Sequence, residues 1–164
     1  MPTTTRRLAP DEVEAAHAIV AAAGRALAAG GWRNWDPPYP LERMRAEAAS
    51  REIYLVTEAG VALATYTLSI TAPHDYPPAV FASGVRALYL NRLAVVPARW
   101  RTGLGRACMT EVESRARAAG RAAVRFDAFR DNAPLRGFYR ALGYVERGPY
   151  VVEGTIPVIC FEKE

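Results

Sequence analysis

The spacing of apolar residues changes from a helical period to a strand period near residue 52. Before that point, apolar residues from Val13 to Leu27 recur every three or four positions, and the pair Gly30-Gly31 follows them. Apolar positions at this interval share one face of a helix, and glycine commonly ends one. We therefore predict a short first strand over Thr3–Leu8, a helix that begins at Pro10, and a second helix over Leu41–Ser50.

The remaining chain alternates between strand patterns and two further helices. The predicted strands are Ile53–Val56, Val61–Ile70, Ala87–Val96, Ala122–Ala128, Tyr144–Val152 and Thr155–Glu162. The predicted helices are Gly103–Ala119 and a segment that starts at Asp131-Asn132-Ala133-Pro134 and ends at Leu142-Gly143. The order is β-α-α-β-β-β-α-β-α-β-β, which indicates an α/β chain with a mixed sheet. Thr71–Arg86 carries three prolines, so we expect a long surface loop of the kind that borders binding sites.

Length and composition point to one domain. The chain has 164 residues, of which 51% are hydrophobic and 23% charged, as in globular proteins. We therefore expect a single domain over residues 1–164. No apolar run is long enough to cross a membrane, and Met1 to Arg7 lacks the apolar core of a signal peptide. These features predict a cytoplasmic protein without a membrane partner.

The distribution of charged and metal-ligating residues indicates which kinds of ligand the chain can bind. The formal net charge is +4, and Lys163 is the one lysine among 21 basic residues. The arginines are spread along the chain with acids between them, which favours an anionic small molecule over nucleic acid. Cys108 and Cys160 are isolated, as are His17 and His74, so we expect neither a disulfide framework nor a metal site.

A glycine pair stands where the fourth strand gives way to a helix. Gly103 and Gly105 follow the strand that ends near Pro97. Glycines let the backbone approach a ligand closely, and the free amides at a helix N-terminus attract an anion such as a phosphate. The pair alone fits a tight strand-to-helix turn equally well. A Gly-x-Lys-Ser/Thr sequence is absent, so this is not a nucleotide-binding P-loop.

The spacing of Val95, Pro97, Gly103 and Gly105 resembles motif A of the GNAT family of N-acetyltransferases. Further along, Asn132 precedes Tyr139 by seven residues and Leu142-Gly143-Tyr144 closes the helix, which resembles the following motif of that family. The resemblance covers about Ala87 to Gly148. It implies a GNAT-like fold: a single α/β domain whose central mixed, mostly antiparallel sheet of six to seven strands is flanked by about four helices.

The resemblance also implies acetyl-CoA as co-substrate, with no metal. The backbone of Leu93, Ala94 and Val95 would bind the pantetheine arm. The pyrophosphate would be bound by the amides of Arg101, Thr102, Gly103, Leu104, Gly105 and Arg106. Asn132 and Tyr139 would also contact the cofactor. One position departs from the family pattern, because Trp100 stands where Gln or Arg is common.

Two residues carry the catalytic roles that the resemblance implies. Tyr139 would be the general acid that protonates the departing CoA thiolate, since a tyrosine hydroxyl stays protonated at neutral pH. Asp127 matches a position where some relatives carry a catalytic glutamate. Each has a structural alternative: Tyr139 as a core aromatic residue, and Asp127 as a helix cap or backbone partner. His74 and Asp75 in the long loop could also take the proton of the amine.

The function that we expect is transfer of the acetyl group of acetyl-CoA directly to a primary amine through a ternary complex. The acceptor would be a small-molecule or peptide amine, and a homodimer is possible since dimers are common in the family. A non-catalytic acyl-CoA-binding or sensing module of the same fold is the alternative. Trp32 and Trp35 could line the acceptor pocket or serve only in packing. Cys108 falls on an apolar helix stripe, so we expect it to be buried.

Overall fold

The computed structural model describes residues 2–81 and 84–164, and these form seven strands and four α-helices in the predicted order. The strands are β1 (Thr3–Arg7), β2 (Glu52–Glu58), β3 (Val61–Ser69), β4 (Ala87–Val95), β5 (Ala123–Phe129), β6 (Val145–Val152) and β7 (Ile156–Lys163). The helices are α1 (Glu14–Ala29), α2 (Leu41–Glu47), α3 (Leu104–Ala118) and α4 (Ala133–Ala141). Three residues that the sequence analysis assigned lie outside the described residues: Met1, and Ala82 and Ser83 of the predicted loop.

The seven strands form one sheet with the order β1-β2-β3-β4-β5-β7-β6. Four of its pairings, β1 with β2, β2 with β3, β5 with β7 and β6 with β7, are antiparallel. The pairing of β4 with β5 is parallel. This confirms the predicted GNAT-like α/β architecture with a mixed, mostly antiparallel sheet, and β4 lies at its centre as its apolar sequence indicated.

The predicted start of the first helix is wrong by about one turn. Pro10–Glu12 forms a short 3-10 turn, and α1 begins only at Glu14. The backbone amide of Ala9 donates to the Glu12 carboxylate at 2.9 Å, and the amide of Glu12 donates to the carbonyl of Ala9 at 2.9 Å. The acidic first turn therefore closes on itself in the tighter geometry that often precedes an α-helix.

The chain divides into two compact units, and the first contains the residues up to Ser69 together with Arg92–Met109. Its core forms between the apolar face of α1 and the strands β2 and β3. The buried residues of this core include Ala16, Ile19, Val20, Ala23, Met44, Ile53 and Leu55. They repeat at intervals of three or four along α1, so the helical period seen in the sequence is the face that packs on the sheet.

The second unit contains Ile70–Asn91 and Thr110–Glu164, and aromatic side chains build its core. The ring of Phe126 on β5 stacks on Phe161 of β7, with centroids 5.4 Å apart, and Tyr139 and Tyr144 pack against it. Asn132 caps α4, since its side-chain oxygen accepts a hydrogen bond from the amide of Leu135 at 3.1 Å. The cap and the aromatic core together fix the position of α4.

Two interior helix glycines give opposite expectations for the same substitution. A Cβ atom on Gly24 of α1 would lie 2.5 Å from the backbone oxygen of Trp35, whereas one on Gly137 of α4 would meet nothing nearer than an arginine nitrogen at 3.9 Å. Alanine favours a helix over glycine by about 1 kcal/mol. Overpacking a close contact costs about 1–3 kcal/mol.

We therefore expect Gly24→Ala to lower the free energy of unfolding by about 1 kcal/mol or more, and Gly137→Ala to raise it by about 0.5–1 kcal/mol. Urea denaturation of the two variants beside the wild type measures both changes. A Gly24→Ala protein at least as stable as the wild type would contradict the close contact with Trp35.

Candidate active site

The loop between β4 and α3 is tied down on its approach to the glycine pair. Pro97–Arg99 forms a 3-10 turn, in which the amide of Arg99 donates to the carbonyl of Val96 at 2.9 Å. The hydroxyl of Thr102 donates back to the carbonyl of Arg99 at 2.6 Å. The guanidinium of Arg99 is paired with Glu58 at 3.0 Å. This loop therefore enters α3 in a single defined conformation.

The backbone at the end of this loop has left-handed residues that can turn its amides toward a bound anion. Arg101 has φ of 60° and Gly103 has φ of 89°, both in the left-handed region. Residues in that region, placed beside right-handed ones, turn successive N–H groups toward a common concave face that can hold an anion. No carbonyl oxygen within residues 2–81 and 84–164 accepts a backbone hydrogen bond from the amides of residues 101–105.

The space at the Cβ position of Gly103 is open, so the loop is compatible with the phosphate that the sequence predicted. A Cβ atom built on Gly103 would meet nothing within 4 Å. Arg101 and Arg106 add positive charge to the same loop, and the N-terminus of α3 adds the positive end of a helix dipole. We call residues 101–106 the amide cradle. A pyrophosphate such as that of CoA matches its donors in charge and in kind.

Trp100, the departure from the family pattern, has a structural role. Its indole nitrogen donates to the carbonyl of Val95 at 2.7 Å, and the side chain remains 39% exposed. The ring therefore links the end of β4 to the loop and supplies no cation to the cradle. Of the predicted pantetheine-binding residues, Leu93 and Val95 are half-buried and Ala94 is buried, and the carbonyl of Val95 already accepts one hydrogen bond.

The strand β4 has one feature that the sequence did not indicate. Arg92, just before Leu93, has φ of 52° although it is not glycine. Its buried guanidinium forms an ion pair with Glu47 and lies 4.5 Å from the ring centre of Tyr39. Such a backbone conformation costs of order 1 kcal/mol and persists where surrounding contacts hold it. The ion pair and the ring contact supply those contacts here.

Tyr139 and Asn132 both lie on α4 in the second unit. Tyr139 is 5% exposed and its ring contacts those of Phe126, Phe138, Tyr144 and Phe161. These contacts agree with the structural alternative, a core aromatic residue, and leave its role as an acid a prediction. The side chain of Asn132 is used as the cap of α4.

Asp127 lies on the opposite face of the sheet from the aromatic core. Side chains alternate along a strand, so Phe126 points to one face while Arg125 and Asp127 point to the other. The Asp127 carboxylate accepts a hydrogen bond from the hydroxyl of Tyr76, and the Nε2 atom of His74 lies 3.8 Å from its Oδ2 atom. The sequence thus named His74 and Asp127 separately, and the structure brings them together.

Burial controls the protonation of this group. Removal of the carboxylate from water raises the pKa of Asp127, while the hydrogen bond from Tyr76 and the nearby His74 act in the opposite direction. Burial also raises the pKa of the Tyr76 hydroxyl, as does the neighbouring Asp127. Cys160 pairs with Asp127 across β5 and β7, and burial raises the pKa of its thiol to about 12. Tyr76 and Cys160 therefore stay protonated at neutral pH.

A cavity of about 340 Å³ opens beside this group within the second unit. Its polar and aromatic lining includes His74, Asp75, Tyr76, Phe81, Tyr89 and Arg125. Most of these residues come from the predicted loop 71–86, and two come from the strands β4 and β5. The expectation that this loop borders a pocket is therefore confirmed for its described residues.

Buried charges hold the cavity wall formed by Arg125. Its Nε atom donates to the fully buried Glu162 at 2.6 Å, and Arg147 donates to the same carboxylate at 3.1 Å. The hydroxyl of Tyr89 accepts from Arg125 at 3.3 Å, and the ring of Phe81 lies under its guanidinium at 4.6 Å. A buried carboxylate requires such partners. The sequence analysis missed this group, although Arg125 and Asp127 at alternate positions of an apolar strand signal a polar face.

Two other expectations can be compared with the structure. The backbone of Trp35 packs against Gly24, and the ring of Trp32 lies near Gly30, so both tryptophans take part in packing within the first unit. Cys108 is buried as expected, at 2% exposure. Within the described parts of the chain, no group of three or more His, Cys, Asp or Glu side chains could hold a metal ion, and no helix has the length and apolarity to cross a membrane.

Known structures share this fold. A ribosomal-protein-S18-alanine N-acetyltransferase from Escherichia coli is 18% identical, with a TM-score of 0.73 over 98% of this chain and 92% of that chain. The paia N-acetyltransferase from Thermoplasma acidophilum, in complex with coenzyme A, is 17% identical, with a TM-score of 0.74 over 100% and 99%. A GNAT family acetyltransferase from Elizabethkingia anophelis with acetyl-CoA bound is 15% identical, with a TM-score of 0.67 over 99% and 97%.

The sequence comparisons give one family. No curated protein matches the chain. The model of the acetyltransferase (GNAT) family matches residues 23–144, which is about three quarters of the chain and includes the whole amide cradle, Asp127 and Tyr139. The element order and the cradle agree with that match, and the chain belongs to the acetyltransferase (GNAT) family.

Proposed function

We propose that this protein transfers the acetyl group of acetyl-CoA directly to a primary amine. The observation that carries the proposal is the amide cradle, in which the backbone N–H groups of residues 101–105 make no backbone hydrogen bond within the described residues and the space at Gly103 is open. Solved relatives of the same fold hold CoA or acetyl-CoA, as their names state. The cradle would bind the pyrophosphate, with Leu93 to Val95 and Asn132 as the further proposed contacts.

Acetyl-CoA supplies an activated acyl group, and the chain supplies position and proton transfer. The nitrogen of the amine attacks the thioester carbonyl carbon, a C–N bond forms, and the C–S bond breaks. No covalent enzyme intermediate is involved. Holding amine and thioester together in a ternary complex removes much of the entropy cost of the encounter, which can contribute about 7–11 kcal/mol in favourable cases.

Two residues would handle the protons. The hydroxyl of Tyr139 donates its proton to the departing thiolate, so CoA leaves as the thiol. Asp127 serves the acceptor side, where the ammonium form of the substrate must lose a proton before attack. The aromatic and polar cavity beside Asp127 supports this side as the place of the acceptor, which we propose to be a small-molecule or peptide amine.

We expect Gly103→Leu to weaken acetyl-CoA binding at least tenfold, because a side chain at φ of 89° strains the loop and fills the space in front of the amides. Calorimetric titration with acetyl-CoA and with CoA measures the affinity, and a free nucleotide tests whether the CoA moiety as a whole is needed.

Gly60→Leu is the matched control. Gly60 also has positive φ, 78°, and open space at its Cβ position, but it lies in the β2–β3 hairpin. We expect this variant to bind acetyl-CoA as the wild type does. Equal affinity of Gly103→Leu and the wild type would exclude the cradle, and absence of binding to the wild type at millimolar ligand would overturn the proposed function.

We expect Tyr139→Phe to lower kcat at least tenfold while the affinity for acetyl-CoA is kept, because the change removes the proton donor and keeps the aromatic ring. Release of the CoA thiol over a panel of amines gives the rate. Both cysteines of the protein are buried, so the folded enzyme adds little thiol background.

Tyr54→Phe controls for the loss of a tyrosine hydroxyl elsewhere, since Tyr54 on β2 donates to Glu52 at 2.7 Å and belongs to no proposed site. We expect its kcat to equal that of the wild type. A Tyr139→Phe enzyme with unchanged kcat would show that Tyr139 is a core residue only.

A further inference from the structure

Within the second unit, the described wall of the cavity contains His74 but not Asp127. The side chains of His74 and Asp127 are 13% and 18% exposed, and Asp127 contacts both His74 and Tyr76. An amine in the cavity would therefore lie against the imidazole, which forms part of the described wall. The carboxylate is in contact with that imidazole and would act on the acceptor through it.

His74 is held in a defined place despite its position in a loop. The amide of Tyr76 donates to the carbonyl of His74 at 2.9 Å, which closes a tight turn. The imidazole lies edge-on to the ring of Tyr76, at 5.8 Å, and is stacked near that of Tyr150, at 6.4 Å. Its side chain is 13% exposed, so it is accessible from the cavity and shielded from bulk water. These contacts satisfy the geometric needs of a proton acceptor.

We propose that His74 is the general base that takes the proton of the acceptor amine, and that Asp127 is a positioning residue that stabilises the resulting imidazolium. The inference rests on the proposed acetyl transfer and specifies how its acceptor side works. Tyr76 completes the arrangement, because its hydrogen bond to Asp127 fixes the carboxylate that faces His74.

The protons balance over one turnover. The ammonium of the acceptor gives one proton to a ring nitrogen of His74 and becomes a neutral amine. After attack on the thioester, the C–S bond breaks, Tyr139 gives its proton to the thiolate, and the nitrogen releases its second proton to water. The Tyr139 phenolate takes a proton back from water, so the products are the amide and the CoA thiol and the tyrosine is restored. His74 then returns its proton to water. The net reaction releases one proton per ammonium acetylated.

The charged and titratable groups near His74 lie on the loop and on the strands β5, β6 and β7. Asp127 faces it from β5, Asp75 lies beside it in the loop, and Tyr150 faces it from β6. Cys160 on β7 lies across from Asp127 and stays a neutral thiol at neutral pH. Arg125 on the cavity wall pairs with Glu162, and Arg147 pairs with the same carboxylate, so one carboxylate serves two guanidinium groups. Asp127 is the carboxylate that faces the imidazole and can stabilise its charged form.

In acid, Asp127 becomes neutral and no longer stabilises a charged His74. Burial raises the pKa of its carboxyl, so its negative charge disappears at a higher pH than that of an exposed aspartate. As the pH falls through this value, the imidazolium loses its partner.

The chain contains two histidines, which makes a direct test possible. NMR titration of the imidazole carbon-bound protons in the free protein gives two curves, and His17→Gln identifies the curve of His74. We expect Asp127→Asn to move the midpoint of the His74 curve to lower pH by half a unit or more and to leave that of His17 unchanged. Asn at 127 can still accept the Tyr76 hydrogen bond and carries no buried charge, so the variant should fold.

Kinetics then separate a base from a structural residue. We expect His74→Gln to lower kcat/KM at neutral pH at least tenfold and to remove the acidic limb of the pH profile. We expect Asp127→Asn to keep that limb, moved to lower pH, with a lower plateau. The imidazole without its carboxylate partner is a weaker base, so it is protonated only at lower pH and takes the proton of the amine less readily. Asp131→Asn, an exposed aspartate paired with Arg130, is the matched control and should keep the wild-type profile.

Each other outcome overturns the proposal. If His74→Gln keeps the wild-type profile while Asp127→Asn loses the acidic limb, Asp127 is the base itself. If the His74 titration curve ignores Asp127→Asn, the two groups are not coupled. If the wild type binds acetyl-CoA but releases no thiol with any amine, both the proposed acetyl transfer and the role of His74 are wrong. If the wild type turns over normally and His74→Gln is equally active, only the role of His74 as the base is wrong.

Discussion

The strict alternation of side chains along β5 is the constraint on which the second unit depends. Phe126 points into an aromatic core, and the residues on either side of it, Arg125 and Asp127, point to the cavity face. The pairing with β7 preserves this division, because Arg125 faces Glu162 and Phe126 faces Phe161 in the same register. A slip of one residue would place buried charges in the aromatic core and rings in the polar group. Fold and candidate site are therefore fixed by the same hydrogen-bond ladder.

The element order could be predicted because long segments of this chain have a clear period. Helical spacing marked α1, and runs of β-branched and aromatic residues marked the strands, so the order was confirmed throughout. The boundaries were less certain because local hydrogen bonds decide them. The acidic turn at Pro10–Glu12 became a separate 3-10 turn, and the second helix ends at Glu47 rather than Ser50, where amides bond to carbonyls three residues back.

The candidate site was predictable only where it is continuous in sequence. Residues 101–106 of the cradle follow one another, so the glycine spacing and the resemblance could name them together as a candidate site. The cavity face is assembled from the loop, β4, β5, β6 and β7, and the contacts of Asp127 with Tyr76 and His74 join residues about fifty positions apart. Nothing in a single sequence reports such a contact. The left-handed backbone conformation of Arg92 could not be predicted either, because residues other than glycine rarely adopt it.

The indole of Trp100 changes the thermodynamic character of the loop that it closes. A flexible loop that wraps an anion must lose conformational entropy at the moment of binding, and that loss is subtracted from the affinity. Here the hydrogen bond from Trp100 to Val95, together with that from Thr102 to Arg99, orders the approach to the cradle when the protein folds. A cationic side chain at position 100 would strengthen the attraction for the anion, whereas the rigid indole ring reduces the conformational entropy that the loop would lose on binding. A phosphate bound at this loop would therefore depend less on a side-chain charge, and its affinity would be less sensitive to salt.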